Sequence, residues 1–421
     1  MSKDTAPIPS VPPPPAPAPA PPVAIPNKTA QKCLFQNESN WRPLEGDGDD
    51  EGKLAAEQTK RVLRERLGNL LLSQNLVLLV GSGASVGVGG PSMTALWEEA
   101  EASQKKFAAV CAAVGHPGDK KDIEALLSRC QGALAFGASD KKTEITAFVE
   151  AVEGIIRDRC RNVEAWEKVK GTKQALRDTL APYLTLLSRV VPRRQDLPRT
   201  RIFTTNYDPC HELAAKDRGM PILDGFDLIS PRTFDGRWFD YDFVRRGTKE
   251  GAPDYLESVF HLYKLHGSVD WENTAAGIVR KPDTKTPYLI YPRDEKFALS
   301  YEQPFLEMMS RFQMALREKD TALMLVGFGF NDRHLNQPIF HALATNPNFK
   351  LLIVDRSPET KLGDGKLWDT LYRLQKSGAP LDVIQTDFHD FPSLLPSYSE
   401  ARASNTQERA AQLLKVLSAK P

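Results

Sequence analysis

The run Leu76-Val77-Leu78-Leu79-Val80 is wholly apolar and leads without a break into Gly81-Ser82-Gly83. Such a run has no polar alternate face to turn toward water. It therefore predicts a strand of a parallel sheet covered by helices on both sides. Comparable runs recur at 201–205, 259–265, 322–328, 351–354 and 383–386. Helical patterns separate them, so the chain reads as an α/β protein. The expected core is a Rossmann-like doubly wound parallel sheet of about six strands.

Between the first and second of these runs, residues 91–192 carry no strand signal. Ile145, Phe148, Val149, Val152, Ile155 and Ile156 fit one helix face, and Leu176, Leu180, Tyr183, Leu184, Leu187 and Val191 fit another. Pro182 should kink or break the second. This stretch is expected to be a helical module inserted into the sheet domain. Before the first run, Val62, Leu63, Leu67, Leu70 and Leu71 predict an amphipathic helix starting near Lys53.

Eleven of the 32 prolines fall between Pro7 and Pro26, and 44–53 is rich in Gly, Asp and Glu. Neither segment has the apolar content to build a core, so residues 1–52 are expected to be a disordered leader. The sheet domain should then span 53–398. Residues 399–421 should form a C-terminal helix and tail, with the helix over 406–417. The 31 residues beyond Asp390 are too few for a further domain.

The charge is balanced, 55 Lys+Arg against 54 Asp+Glu. That argues against a bulk electrostatic grip on nucleic acid or on a membrane surface. No apolar run approaches a membrane span, and the start of the chain lacks a hydrophobic signal core. The five cysteines (Cys33, Cys111, Cys130, Cys160, Cys210) are scattered and form no zinc-type pair. A cytoplasmic protein with reduced thiols and no zinc is expected.

Five segments sit where strands end, which in an open parallel sheet is the ligand crevice. In the first, Gly81 and Gly83 permit a tight turn that brings backbone amides to a pyrophosphate, with Ala84 and Ser85 beside them. A bare G-x-G is equally a turn that only lets a helix pack on its strand. The second ends in Asn206 and Asp208. Asn206 can orient a water or hold a ribose hydroxyl, or either residue can cap the next helix. The third places His266 before Gly267, where an imidazole can act as a base. The fourth runs from Gly327 to Asp332. The fifth ends at Asp355, which is placed to accept a ribose hydroxyl.

In this order the segments resemble the sirtuin fold. The matching stretches are Gly81-Ser82-Gly83-Ala84-Ser85, Thr204-Thr205-Asn206-Tyr207-Asp208, Leu265-His266-Gly267 and Gly327-Phe328-Gly329-Phe330. The runs GSGASVGVGGPSMTALW at 81–97, KLHGSVDW at 264–271, YPRDEKF at 291–297 and GFGFNDRHL at 327–335 are similar to the sirtuin-like domain of bacterial antiphage defence proteins. Deacylase sirtuins carry a four-cysteine zinc ribbon after the histidine, whereas no cysteine lies between His266 and Gly327. They also continue the glycine turn into a G-I-P-D-F-R run, and here Gly90-Pro91-Ser92-Met93 has no arginine nearby.

The resemblance implies an NAD+ glycohydrolase acting in antiphage defence by abortive infection. NAD+ is then a substrate. Asn206 and His266 are the implied catalytic pair. Gly81, Gly83, Ala84, Ser85, Asp208, Gly327, Asp332 and Asp355 are the implied binding residues. Self-association and a separately encoded HerA-type hexameric ATPase partner are also implied, with the helical module and the aromatic stretch 234–243 as candidate contact surfaces. Two alternatives remain at this point: an NAD+-dependent protein deacylase, and a non-catalytic nucleotide-binding scaffold for the ATPase.

Overall fold

A computed structural model describes residues 30–46, 48–118, 120–136, 141–170, 172–246, 253–292, 302–361 and 366–418. The Pro-rich tract at 7–26 and the Arg293 to Phe297 part of the YPRDEKF run lie outside the described residues.

The main sheet has nine strands, not about six. All six expected runs are present: β3 (Asn75–Val80), β4 (Arg201–Thr204), β8 (Phe260–Lys264), β12 (Thr321–Val326), β13 (Lys350–Asp355) and β14 (Leu381–Gln385). The three additions are short strands at the two margins of the sheet: β1 (Lys32–Leu34), β2 (Arg42–Pro43) and β5 (Ile222–Leu223). At two or three residues each, they are too brief to show a periodicity. The order is β2-β1-β14-β13-β12-β3-β4-β8-β5. Strands β14 through β5 pair in parallel, and only the β1–β14 and β1–β2 pairings are antiparallel.

The fold therefore starts before Lys53. β1 pairs with β14, and Cys33, Leu34, Phe35 and Leu44 are buried. The first helix begins at Asp50, capped by the Asp49 side chain, which accepts from the Gly52 amide. Residues 30–46 and 48–52 are thus part of the sheet domain. Their low hydropathy concealed four core residues that the sheet edge buries.

The two faces of β3 explain its all-apolar sequence. Leu76, Leu78 and Val80 join the core under the helices Asp50–Leu71 and Ala181–Val190. Val77 and Leu79 point the other way, toward the helix Phe305–Arg317. The inserted module is helical throughout its described part, from Met93 to Val190. Pro182 does break its helix: one helix ends at Thr179 and the next starts at Ala181, with the proline in its first turn. The module has its own core around Trp97, Leu127 and Val152. The C-terminal helix starts at Tyr398, earlier than expected, and buries Ala401 against the first helix near Gly68.

A second sheet was not legible as such: β10 (Gly277–Arg280), β9 (Gly267–Thr274) and β11 (Pro287–Leu289), all antiparallel. It follows His266 directly. Val269 and Leu289 join the core of the helical module. From the module, the Arg161 guanidinium donates to the Val269 carbonyl at 3.0 Å and also to that of Thr284. A minor hairpin pairs β6 (Val244–Arg245) with β7 (Asp254–Tyr255). In the 234–243 stretch, Phe239 is buried with its ring stacked 4.3 Å from Tyr263, so that part serves packing. Among the described residues no helix is long and apolar enough to cross a membrane. All five cysteines are buried free thiols.

Candidate functional site

Sheet register sets the site. β3 lies between β4 and β12, while the chain reaches β12 only after visiting β4 and β8 on the other side. Connections diverge at that point and leave a crevice beyond the strand ends. Val80 is level with Thr204 and with Val326, Val326 with Val354, and Thr204 with Lys264. Gly81, Thr205, Leu265, Gly327 and Asp355 therefore form one row along the carboxyl edge. Asn206 and His266 each lie two residues past a paired position, on adjacent strands.

Two adjoining cavities open above this row. The first, about 960 Å³ including its open mouth, is lined by Gly81, Ser85, Asn206, Asp208, His266 and Asp332, among others. The second is lined by Gly83, Gly327, Asp355 and Lys361. Ser82, Met93 and Gly329 border both, so the crevice is continuous from His266 to Asp355.

Nine of the ten expected site residues line this crevice; Ala84 does not. It is fully buried in the core beneath the turn and borders neither cavity. A five-residue motif gives positions along the chain, and the first turn of the short helix Gly83–Val86 points this methyl inward.

The glycines serve packing as well as access. The Gly81 amide donates to the Val326 carbonyl and that of Gly83 to Gly327, both at 3.0 Å. A Cβ on Gly81 would lie 2.6 Å from the Gly327 oxygen. Gly327 itself has φ +60°, and a Cβ there would meet the Ala84 nitrogen at 2.6 Å. The two glycine loops interlock, and both functions require the missing side chains.

Asn206 is held from several directions. Its Nδ2 donates to the Gly81 carbonyl at 3.0 Å and to the Ser85 hydroxyl at 2.8 Å. Ser85 donates to Asp208 Oδ2 at 2.6 Å, and Asp208 Oδ1 accepts from the Cys210 amide. Both N–H bonds of Asn206 are thus spent inside the protein, which leaves its Oδ1 to meet a ligand. Asp208 works as the buried anchor of this chain of bonds. His266 is 4% exposed, and its Nε2 lies 4.0 Å from Asp332 Oδ1. That carboxylate can stabilise an imidazolium.

Beneath both residues is Lys264, 3% exposed. Its Nζ donates to the Asp208 carbonyl at 2.6 Å and the Tyr207 carbonyl at 3.3 Å, and pairs with Glu212. It ties the end of β4 to the end of β8 and so fixes Asn206 relative to His266. Burial pushes the Glu212 carboxyl up, against the pull of Lys264 and Arg280. Arg280 continues the network to Asp270 and Asp224. Lys264 opens the KLHGSVDW run, yet only its position at the end of a buried strand marks it out.

The helical module adds residues that no local pattern could announce. Glu124, Ile156, Arg159 and Cys160 all line the first cavity. Arg159 Nε is 3.1 Å from Glu99 Oε2, with the arginine 17% exposed. The glycine turn has no arginine of its own nearby in sequence, and the module brings one over it.

The ligand atoms of Asp387, His389 and Asp390 gather within 4.8 Å at the rim of the second cavity. They already bond one another and Gln31.

A model of the SIR2-like domain family matches residues 200–372. That stretch is therefore similar to SIR2-like domains. It includes Asn206, His266, Gly327 and Asp355, and excludes the Gly81 turn and the helical module. No curated protein matches the chain.

Proposed function

We propose that this protein is an NAD+ glycohydrolase, cleaving the nicotinamide–ribose bond to give nicotinamide and ADP-ribose. The observation that carries this is the adjacency of Asn206 and His266 in a crevice that continues past the glycine turns to Asp355. SIR2-like domains take NAD+ as substrate, and the match at 200–372 supports the same substrate here. In place of a cysteine-bearing ribbon after the histidine stands the β9–β11 sheet, packed onto the helical module. That supports hydrolysis over acyl transfer.

The chemistry asks little covalent work of the protein. The C1′–N bond breaks and its electron pair leaves with nicotinamide, which departs neutral. The ribosyl centre passes through an oxocarbenium-like state. A water oxygen bonds to C1′, and its proton passes to a base and then to solvent. Asn206 Oδ1 holds the ribose or the water, and His266, backed by Asp332, takes the proton. The Gly81–Gly83 turn lets the diphosphate approach closely, although its Gly81 and Gly83 amides are spent on the Val326 and Gly327 carbonyls, and Asp355 receives the adenosine ribose.

The biological reading is an effector of bacterial antiphage defence, working as a homo-oligomer with a HerA-type ATPase. Its support is the likeness of the 81–97, 264–271 and 327–335 runs to that branch. The test is to incubate the full chain with NAD+ alone, with an acyl-lysine peptide, and with the ATPase, and to follow nicotinamide by chromatography. Release without peptide, lost in Asn206→Ala and His266→Ala, is the expected result. Release only with peptide would sink the hydrolase reading.

A further inference from the structure

The adenosine end of the crevice contains a cation pair that binding a plain ribose hydroxyl does not need. β13 ends at Asp355, whose carboxylate is 8% exposed. Its Oδ1 already accepts from the Ser357 amide at 2.8 Å, and its Oδ2 from Lys361 Nζ at 2.5 Å. Lys361 Nζ also lies 5.4 Å from the centre of the Trp368 ring, and its bond to Asp355 leaves two ammonium hydrogens for other acceptors. The next residue, Arg356, lines the same cavity, is exposed, and makes no hydrogen bond or ion pair among the described residues. Asp387 faces this cavity as well, and its Oδ1 accepts from the Asp390 amide.

A strand-end acid that selects an unmodified ribose works by repelling a 2′-phosphate. Here Lys361 neutralises that acid, and a guanidinium stands beside it. An arginine next to the strand-end position is the usual means of accepting a 2′-phosphate, and its planar fork suits a phosphate bidentately.

We propose that Arg356 and Lys361 form a subsite for a 2′-phosphate, so that the crevice takes 2′-phosphorylated dinucleotides as well as NAD+. This rests on the reading of the crevice as a dinucleotide site, and the test separates the two. Adenosine 2′,5′-bisphosphate and 5′-AMP are titrated into the full chain by calorimetry. The bisphosphate should bind about 10- to 100-fold more tightly, as expected of a charge-assisted contact. Arg356→Ala should remove most of that ratio, and Lys361→Gln part of it. Equal affinities in the wild type, or a ratio that survives Arg356→Ala, would overturn the subsite and leave the dinucleotide reading in place. Binding of neither nucleotide would overturn both. The expected ratio without nicotinamide release would uphold the subsite and count against the glycohydrolase alone.

Discussion

Asn206 donates to the Ser85 hydroxyl at 2.8 Å, and Ser85 passes that contact to the buried carboxylate of Asp208 at 2.6 Å. A residue on the glycine turn thereby sets the angle of an amide on another strand. Ser85→Ala should release the amide and leave Asp208 Oδ2 short of a donor. Stability should fall by about 1–3 kcal/mol. Nicotinamide release should fall on the order of 100-fold, because the amide no longer presents its oxygen at a fixed place. Melting curves and turnover on the same preparation check both. Unchanged turnover in Ser85→Ala would show that Asn206 needs no such support.

Arg159 tests whether the helical module shares in binding. With its Nε 3.1 Å from Glu99 Oε2, the guanidinium retains hydrogens that can face the cavity. It is placed to meet an anionic part of the substrate. Arg159→Ala should raise KM about 10-fold or more, the scale of one charge-assisted bond. Stability should change by less than about 1 kcal/mol, since the ion pair is partly exposed. Arg159→Lys should recover only part of the loss, because an ammonium lacks the planar fork. A normal KM in Arg159→Ala would confine the module to packing.

These two residues mark what the sequence could and could not disclose. Ser85 follows a glycine turn at a strand end, and the local pattern points to it. Arg159 lies far along the chain in an amphipathic helix, where an arginine looks like any solvated charge. β3 and β12 were legible because both faces are buried, which forces a wholly apolar run. β1, β2 and β5 were not, because two or three residues at a sheet edge take their conformation from their neighbours. β9 did carry a signal in the alternation of Val269 and Trp271 with Asp270 and Glu272, but the histidine beside it drew the functional reading instead. Ala84 stands outside the crevice for the opposite reason: a motif fixes position in sequence and does not fix direction.

Phe35 tests where the fold begins. Its ring is 1% exposed, and the Arg66 guanidinium lies 4.9 Å above it. A residue in a leader could be truncated without effect. Phe35→Ala should instead cost about 3–5 kcal/mol, the range for a buried aromatic. Urea denaturation followed by circular dichroism reads the difference directly.

His211 sets an acid limit on stability. It is 2% exposed, its ring meets Tyr183 edge-on at 4.9 Å, and its Nε2 has no hydrogen-bond partner among the described residues. Burial lowers its pKa to about 4, with Asp208 pulling upward and Lys264 downward. Burial, with help from Arg201, lowers His261 to about 3. Both imidazoles stay neutral in the folded chain, while the unfolded chain binds protons near pH 6.5. The unfolded state therefore holds more protons below that pH, and stability declines as pH falls from about 6.5 toward 4. His211 alone contributes at most about 3 kcal/mol to that decline. His211→Leu should flatten the profile between pH 6.5 and 5, while His261 keeps a residual slope. Denaturation midpoints measured at pH 7.5, 6.5 and 5.5 decide the matter. A wild-type midpoint that holds steady across that range would mean that both imidazoles take up protons inside the fold.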